Sequence, residues 1–288
     1  MVSPELLLTQ ILNGLSYGFS IALVAIGLTL IFGLMDIVNF AHGEFYMLGG
    51  FGLLVLLPIL PNFWLAVIVA MIAVGVIALV LERLTITPIH DRDPLHSLII
   101  TFGLLLILQQ VAFEIWGGGS HTVSAPISGS ISIFGVSYPT MRLFTIVACI
   151  GLLIAVWLAL ERTRIGIMVR ASAQDLETAR TLGVPANRIF TLVFAASAML
   201  AVLAAAFLIP VRSVYPTVGT SVILDAFIVV IIGGLGSIPG AVIAALLIGL
   251  VQSLSVIWVA SYLAEVISFA ILIAVMIFRP QGIFAREE

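Results

Sequence analysis

Residues 161–188, ERTRIGIMVRASAQDLETARTLGVPANR, interrupt a chain that is almost continuously apolar on either side of them. Five of the chain's eleven Lys+Arg residues and three of its fourteen acidic residues fall in this stretch, which we call the charged segment. It is far longer than a turn between two helices requires. This length and charge predict an ordered structure displayed between two membrane spans.

The charged segment contains the start and stop signals of a short helix. Ser172 precedes Asp175 by three residues, which predicts a capping box with Asp in place of the usual Glu or Gln. Asp175 and Glu177 lie near the predicted N-terminus and Arg180 near the C-terminus, the order that the helix dipole favours. Gly183 then predicts a left-handed C-terminal stop.

An apolar face runs along this predicted helix. Leu176, Ala179 and Leu182 or Gly183 recur at helical spacing. A small amphipathic helix outside a membrane is suited to docking on another protein. The alternative is a solvated loop that is stabilised by its own charges.

The composition of the whole chain identifies the class of protein. The chain is 62% hydrophobic and 9% charged, with a mean hydropathy of +1.31, whereas a soluble domain carries about 25% charged residues. This predicts an all-α polytopic membrane protein in a lipid bilayer, with residues 1–288 as one transmembrane domain. No nucleic-acid partner is expected.

Apolar runs divide the chain into spans, because one crossing needs ~20 apolar residues. The sequence predicts nine, within a range of eight to ten, at 6–33, 45–60, 62–82, 95–116, 142–160, 189–209, 222–235, 241–258 and 262–278. Broken or re-entrant segments are expected near 34–44 and 233–240. The stretch 222–258 either crosses twice or is re-entrant. A Gly/Ser-rich loop at 117–141 could hold a small hairpin.

The two predicted breaks lie in stretches of similar pattern. TLIFGLMDIVNFAHGEFYMLGGF and FIVVIIGGLGSIPGAVIAALLIG each read as an apolar run, a broken segment and a small-residue helix. Transporters often contain internal repeats with interrupted segments near the substrate route. A faint duplication and a chance similarity both remain open.

Arginine placement predicts the orientation, since cytoplasmic loops carry an excess of basic residues. Nine of the eleven arginines lie in 83–94, 161–188 and 279–288, and Arg142 and Arg212 remain for the other side. We therefore expect a cytoplasmic C-terminus and an external N-terminus. The N-terminal MVSPELLL has no basic region or cleavage pattern, so a removable signal peptide is not expected.

Asn39, His42 and Glu44 form the densest polar cluster near a span end. Ionisable groups at membrane depth are costly unless they are used, which favours a role in lining or gating a pathway. The alternative is an interfacial position in which His42 and Glu44 cap the second span. Asp225 and Glu265, which begin spans, are most simply solvated span ends.

No constellation for chemistry is visible in the sequence. The four histidines are scattered, the single Cys149 lies in an apolar run, and no lysine is present to complete a phosphate-binding loop. We expect no catalytic residues, no metal site and no cofactor in this chain. If ATP drives transport, another chain must hydrolyse it.

Four separated motifs resemble one family. ILNGLSYGFSIALVAIGLTLIFGLMDIVNFAHGEFYMLGG, MVRASAQDLETARTLGVPANRI, GGLGSIPGAVIAALLIGLVQ and the terminal FRPQGIF are similar to hallmarks of the LivH-type permease subunit of branched-chain amino acid ABC transporters. The resemblance implies a bacterial plasma (inner) membrane importer. Its other parts would be a second LivM-type permease, two cytoplasmic ATPase subunits that use ATP and Mg, and a periplasmic or extracellular substrate-binding protein.

The resemblance also implies roles for particular residues. Part of the charged segment would form the helix that couples the ATPases to the spans, and the translocation route would lie near the polar cluster. The coupling residues are Arg170, Ala173, Asp175, Glu177, Ala179, Leu182 and Gly183, and the route residues are Asn39, His42, Gly43 and Glu44. Two alternatives remain, a same-family permease for urea or short amides and an ion-coupled secondary carrier.

Overall fold

The computed structural model describes residues 3–89 and 93–284. Eleven α-helices and one hairpin make up this part of the chain. The helices are α1 Pro4–Met35, α2 His42–Leu56, α3 Phe63–Leu81, α4 Pro94–Trp116, α5 Thr140–Arg162, α6 Arg164–Gln174, α7 Leu176–Thr181, α8 Ala186–Leu208, α9 Val218–Gly233, α10 Ile238–Ser255 and α11 Ser261–Phe278. Strands β1 Ser130–Ile133 and β2 Val136–Pro139 pair antiparallel.

The predicted all-α membrane fold is confirmed. Six of the described helices are long and apolar enough to cross a membrane, and two shorter apolar ones lie at Val218–Gly233 and Leu263–Phe278. The hairpin lies within the loop predicted to hold one. The expected polar loop at 83–94 is wrong over its first half, because π-helical Glu82–Ile86 and a 3-10 turn Thr87–Ile89 prolong α3. Residues 90–92 of that loop lie outside the described residues.

The helix α1 forms the centre of the bundle and packs closely on α10. Each helix presents two small residues four apart, Gly14 and Gly18 on α1 and Ala245 and Gly249 on α10. A Cβ on Gly18 would lie 2.9 Å from the Ala245 carbonyl oxygen. Small residues permit this approach, which stabilises helix pairs in lipid. The predicted small-residue first span therefore has a packing role.

Helical structure is interrupted near both places where broken or re-entrant membrane segments are expected. Helix α1 ends at Asp36, which is left-handed (φ 52°), and α2 begins at His42. Helix α9 ends at Gly234 (φ 98°), and α10 begins after Ser237. The two breaks are neighbours, since a Cβ on Gly33 would lie 3.3 Å from the Gly236 Cα. Their re-entry into a membrane remains a prediction.

The bundle has two distinct ends. Helix α5 runs from the hairpin end, where it follows β2, to the charged end, where it enters the charged segment. Glu82 lies at the charged end and accepts a hydrogen bond from Thr191 on α8 (2.9 Å). The C-terminal tail packs below α9, where the Ile283 amide donates to the Ile232 carbonyl (2.8 Å). The arginine-rich regions that the structure describes therefore share one end.

Candidate functional site

The charged segment forms two helices joined at one residue. Thr163 caps α6 by accepting a hydrogen bond from the Gly166 amide (3.1 Å). Asp175 is extended, ends α6 and caps α7 by accepting from the Thr178 amide (3.0 Å). Hydrogen bonds to the Thr178 hydroxyl and amide lower the pKa of Asp175 below its ordinary value. The carboxylate is therefore ionised at neutral pH, as the N-terminus of α7 favours.

The predicted capping box at Ser172 is wrong. Ser172 lies inside α6 and is buried, because Thr163 starts that helix well before it. Asp175 is itself the cap rather than the residue that completes a box. Arg170 and Ala173 consequently lie on α6, and Arg170 binds the end of α5 by an ion pair with Glu161 (3.3 Å) and a hydrogen bond to the Leu160 carbonyl.

The predicted stop at Gly183 is confirmed. Gly183 has φ 86°, its amide donates to the Arg180 carbonyl (3.0 Å), and the Val184 amide donates to the Ala179 carbonyl (3.0 Å). These two bonds form a Schellman motif. Helix α8 begins three residues after Gly183, at Ala186, so α7 is connected to a long apolar helix by a short ordered turn.

The exposed surface of α7 is narrower than the predicted apolar face. Ala179 is 2% exposed and packs inward, and Leu176 is half-buried against the core. Leu182 is 79% exposed. Glu177 and Arg180 are exposed beside it. A docking partner would therefore contact one leucine and charges of both signs. Ala179 instead packs on the inner side of α7.

The polar cluster near the α1–α2 break is buried in the protein core. Asn39, His42 and Glu44 are each 0% exposed, so their side chains lie among the packed helices. A role in the route and an interfacial role as caps of the second span both stay predictions. His42 Nε2 lies 3.1 Å from the Val24 carbonyl oxygen. Both amide atoms of Asn39, Nδ1 of His42 and both Glu44 oxygens have no hydrogen-bond partner within the described residues.

Gly43 and Glu44 meet the first turn of α9. A Cβ on Gly219 would lie 2.6 Å from Glu44 Oε1 and 2.7 Å from Oε2. The carboxyl group of Glu44 therefore lies directly against the first turn of α9. The break thus brings the starts of α2 and α9 together inside the bundle.

A cavity of about 790 Å³ opens at the hairpin end, and we call it the Tyr17 cavity. Four charged residues from separate parts of the chain line it: Arg142, Arg212, Asp225 and Glu265. Tyr17 donates a hydrogen bond to Asp225, and the Arg212 guanidinium lies 4.3 Å from the centroid of the Tyr17 ring. None of the four predicted route residues, from Asn39 to Glu44, lines this cavity.

The sequence did not identify the Tyr17 cavity as a site. Asp225 was predicted to be a solvated span end, and that is wrong, because α9 begins seven residues earlier and the side chain is half-buried. The available signal was the pair Arg142 and Arg212, the two arginines that the charge distribution separates from the other nine. Both line the cavity.

Comparison with known proteins identifies the family. Residues 10–276 match the family described as branched-chain amino acid transport system / permease component. The chain is 32% identical to the high-affinity branched-chain amino acid transport system permease protein LivH of Escherichia coli, over 98% of this chain and 96% of LivH. It is 31% identical to BraD of Pseudomonas aeruginosa, a permease protein of the same description, with the same coverage.

A more distant relative has a different cargo in its name. The chain is 29% identical to the autoinducer 2 import system permease protein LsrD of Salmonella paratyphi B, over 100% of this chain and 88% of LsrD. The match to LivH and BraD is nearly end to end. The six long apolar helices of the described residues agree with a permease component. The chain belongs to the family of permease components of branched-chain amino acid transport systems.

Proposed function

We propose that this chain supplies half of the transmembrane route of an ATP-driven importer for branched-chain or related small apolar amino acids. It would work with a second, LivM-type permease, two cytoplasmic ATPase subunits that hold ATP and Mg, and a periplasmic or extracellular substrate-binding protein. The chain itself would do no chemistry. It would lie in a bacterial plasma (inner) membrane with its C-terminus in the cytoplasm and its N-terminus outside.

The observation that carries this proposal is that α7 and the residue after it are exposed on a protein whose other helices are mostly long and apolar. Leu182 is 79% exposed at the charged end, where the charged segment and the tail both lie. An exposed leucine flanked by Glu177 and Arg180 suits a protein groove of mixed charge. The positive-inside rule assigns this arginine-rich end to the cytoplasm, where ATPase subunits would meet it.

Contacts between helix ends support a proposed path by which motion of α7 would reach the membrane spans. Arg170 ties α6 to the end of α5, and the Schellman turn at Gly183 ties α7 to the start of α8. Glu82 then joins the start of α8 to the end of α3 through Thr191. Closure of the ATPases against α7 would move these helix ends together rather than bend a flexible loop.

The cargo is proposed from the family and its named members. The LivH and BraD matches favour a branched-chain amino acid, whereas the LsrD match, whose name gives a different cargo, keeps a solute of another class as the second candidate. Urea or short amides belong to that second class. An ion-coupled carrier is disfavoured, because the family consists of permease components rather than carriers that work alone.

Uptake by the complete complex in vesicles tests the proposal. We expect radiolabelled leucine to enter only when ATP, the substrate-binding protein and both ATPase subunits are present. Charge reversal at Asp175 and Glu177 together should abolish this uptake while the protein still inserts. Uptake by the purified permease alone along an ion gradient would contradict the proposal.

A further inference from the structure

The Tyr17 cavity is lined by charges of both signs that do not touch each other. Among the described residues, none of Arg142, Arg212, Asp225 and Glu265 takes part in an ion pair. Asp225 instead accepts hydrogen bonds from Tyr17 and from Gln252 Nε2 (2.9 Å). The guanidinium of Arg212 lies on the face of the Tyr17 ring, 4.3 Å from the ring centroid. A cation and an anion are thus held apart by one aromatic ring.

These charges are held in place by the packing around them. Tyr17 is 7% exposed and lies on α1 at the centre of the bundle. Asp225 is half-buried on α9 and is fixed from two sides by its hydrogen bonds. Arg212 is exposed, and its guanidinium lies on the face of the Tyr17 ring. The anion is therefore preorganised, and the cation is available.

An apolar wall lies beside the charged groups. Leu208, Val218 and Val222 line the same cavity, and all three side chains are buried in the bundle. The volume of about 790 Å³ falls within the ~300–1,000 Å³ of small-molecule pockets. The cavity thus combines a cation, an anion and an aliphatic surface within one enclosure.

We propose that the Tyr17 cavity binds a zwitterionic amino acid with an aliphatic side chain, with its carboxylate at Arg212, its ammonium at Asp225 and its side chain against Val218 and Val222. The inference rests on the proposed function and names the place where this chain holds its cargo. Electrostatic complementarity of this kind selects against ligands that lack either charge. The cavity lies at the hairpin end, opposite α7, where incoming cargo would arrive.

Photolabelling of the complete complex tests the site directly. A leucine analogue that carries a diazirine would be bound to the reconstituted complex of both permeases, the ATPases and the binding protein. After irradiation, the adducts would be located by peptide mass spectrometry. We expect labelling of the peptide that contains Val218 and Val222. Leucine should compete, whereas 4-methylpentanoate, which lacks the ammonium, and isoamylamine, which lacks the carboxylate, should not.

Two cavity variants and one control separate binding from folding. Arg212→Gln and the isosteric Asp225→Asn should each lower cavity labelling by about tenfold or more, since hydrogen bonds to charged groups contribute about 1.5–3 kcal/mol. Glu114→Gln removes an exposed carboxylate at the same end of the bundle that does not line the cavity. It should leave labelling unchanged. Arg212 is exposed, so its replacement does not threaten the fold.

The readouts distinguish failure of the site from failure of the proposed function. A wild-type complex without ATP-driven uptake would contradict the proposed function, whatever the labelling. Full labelling of Arg212→Gln and Asp225→Asn, or equal competition by 4-methylpentanoate, would overturn the zwitterion site alone. Loss of binding-protein association with unchanged labelling per assembled complex would also overturn it, since Arg212 would then belong to a protein-docking surface.

Discussion

The two ends of the bundle use arginine in opposite ways. At the charged end, arginines stand on exposed helices and loops, and Arg170 pairs with Glu161 to fix α6 to α5. At the hairpin end, Arg142 and Arg212 line a cavity together with Asp225 and Glu265. The first arrangement leaves charge on the surface of exposed helices, and the second gathers charges of both signs around one cavity. The same residue type is therefore a surface charge at one end and a cavity lining at the other.

The close contact between α1 and α10, which we call the α1–α10 seam, connects these two ends. Its disruption should have the largest effect on the stability of the protein. Gly18→Ala would place a Cβ 2.9 Å from the Ala245 carbonyl oxygen and 3.0 Å from the Leu246 Cα. We expect overpacking that costs about 1–3 kcal/mol and a lower yield of monodisperse protein. Gly103→Ala on α4 is the matched control, since nothing lies within 4 Å of its added Cβ. Equal yields of both variants in size-exclusion chromatography would contradict the tight seam.

Backbone strain at the two ends should have different consequences. Gly183 in the charged segment (φ 86°) and Gly135 in the hairpin (φ 85°) both have nothing within 4 Å of an added Cβ. Gly183→Val and Gly135→Val should each cost about 1–2 kcal/mol of local strain. ATP-driven leucine uptake should be lost only in Gly183→Val. Comparable loss in Gly135→Val would mean that the hairpin end carries the coupling instead.

Exposed apolar residues at the two ends should differ in their partners. Leu182 on the charged segment is 79% exposed, and Phe134 in the hairpin turn is 92% exposed. Leu182→Asp should release the ATPase subunits in co-purification without changing the melting temperature of the permease, because no buried contact is removed. Phe134→Asp should retain them. ATPase loss in the Phe134 variant, or retention in the Leu182 variant, would reverse the assignment of the ends.

The smallest effect should come from the cap of α7. Asp175→Ala removes the acceptor for the Thr178 amide and should lower the local stability of α7, whereas Asp175→Asn retains a good cap. Because the pKa of Asp175 is lowered in the folded protein, the contribution of its charge to stability is fully present above the unfolded pKa and is lost as pH falls through the folded pKa. Uptake should therefore be constant across neutral pH. If the cap alone matters, uptake should be lower in Asp175→Ala and should return to the wild-type rate in Asp175→Asn.

Local signals predicted part of the charged end. Apolar runs of about twenty residues located the long helices, and the stop at Gly183 was readable because only glycine accommodates its backbone easily. Ser172 was misassigned as a cap because Thr163, nine residues earlier, begins a helix that passes through it. Two overlapping cap signals in one segment cannot be ranked without the packing of α6 on α5.

Tertiary packing made the Tyr17 cavity unpredictable from the sequence. Tyr17, Arg142, Arg212, Asp225, Gln252 and Glu265 come from six separate parts of the chain. Their spacing follows no periodic pattern, so no window of sequence contains the site. The burial of Asn39, His42 and Glu44 could not be predicted for the same reason. It depends on how α1 and α9 pack around the break between α1 and α2.

Photo-crosslinking from position 182 tests the central claim most directly. A benzoylphenylalanine introduced in place of Leu182 in the complete, membrane-embedded complex should form adducts with an ATPase subunit, and the same group in place of Phe134 should not. Adducts between position 182 and the substrate-binding protein, or between position 134 and an ATPase subunit, would contradict the account, because the end that displays α7 would then face the exterior.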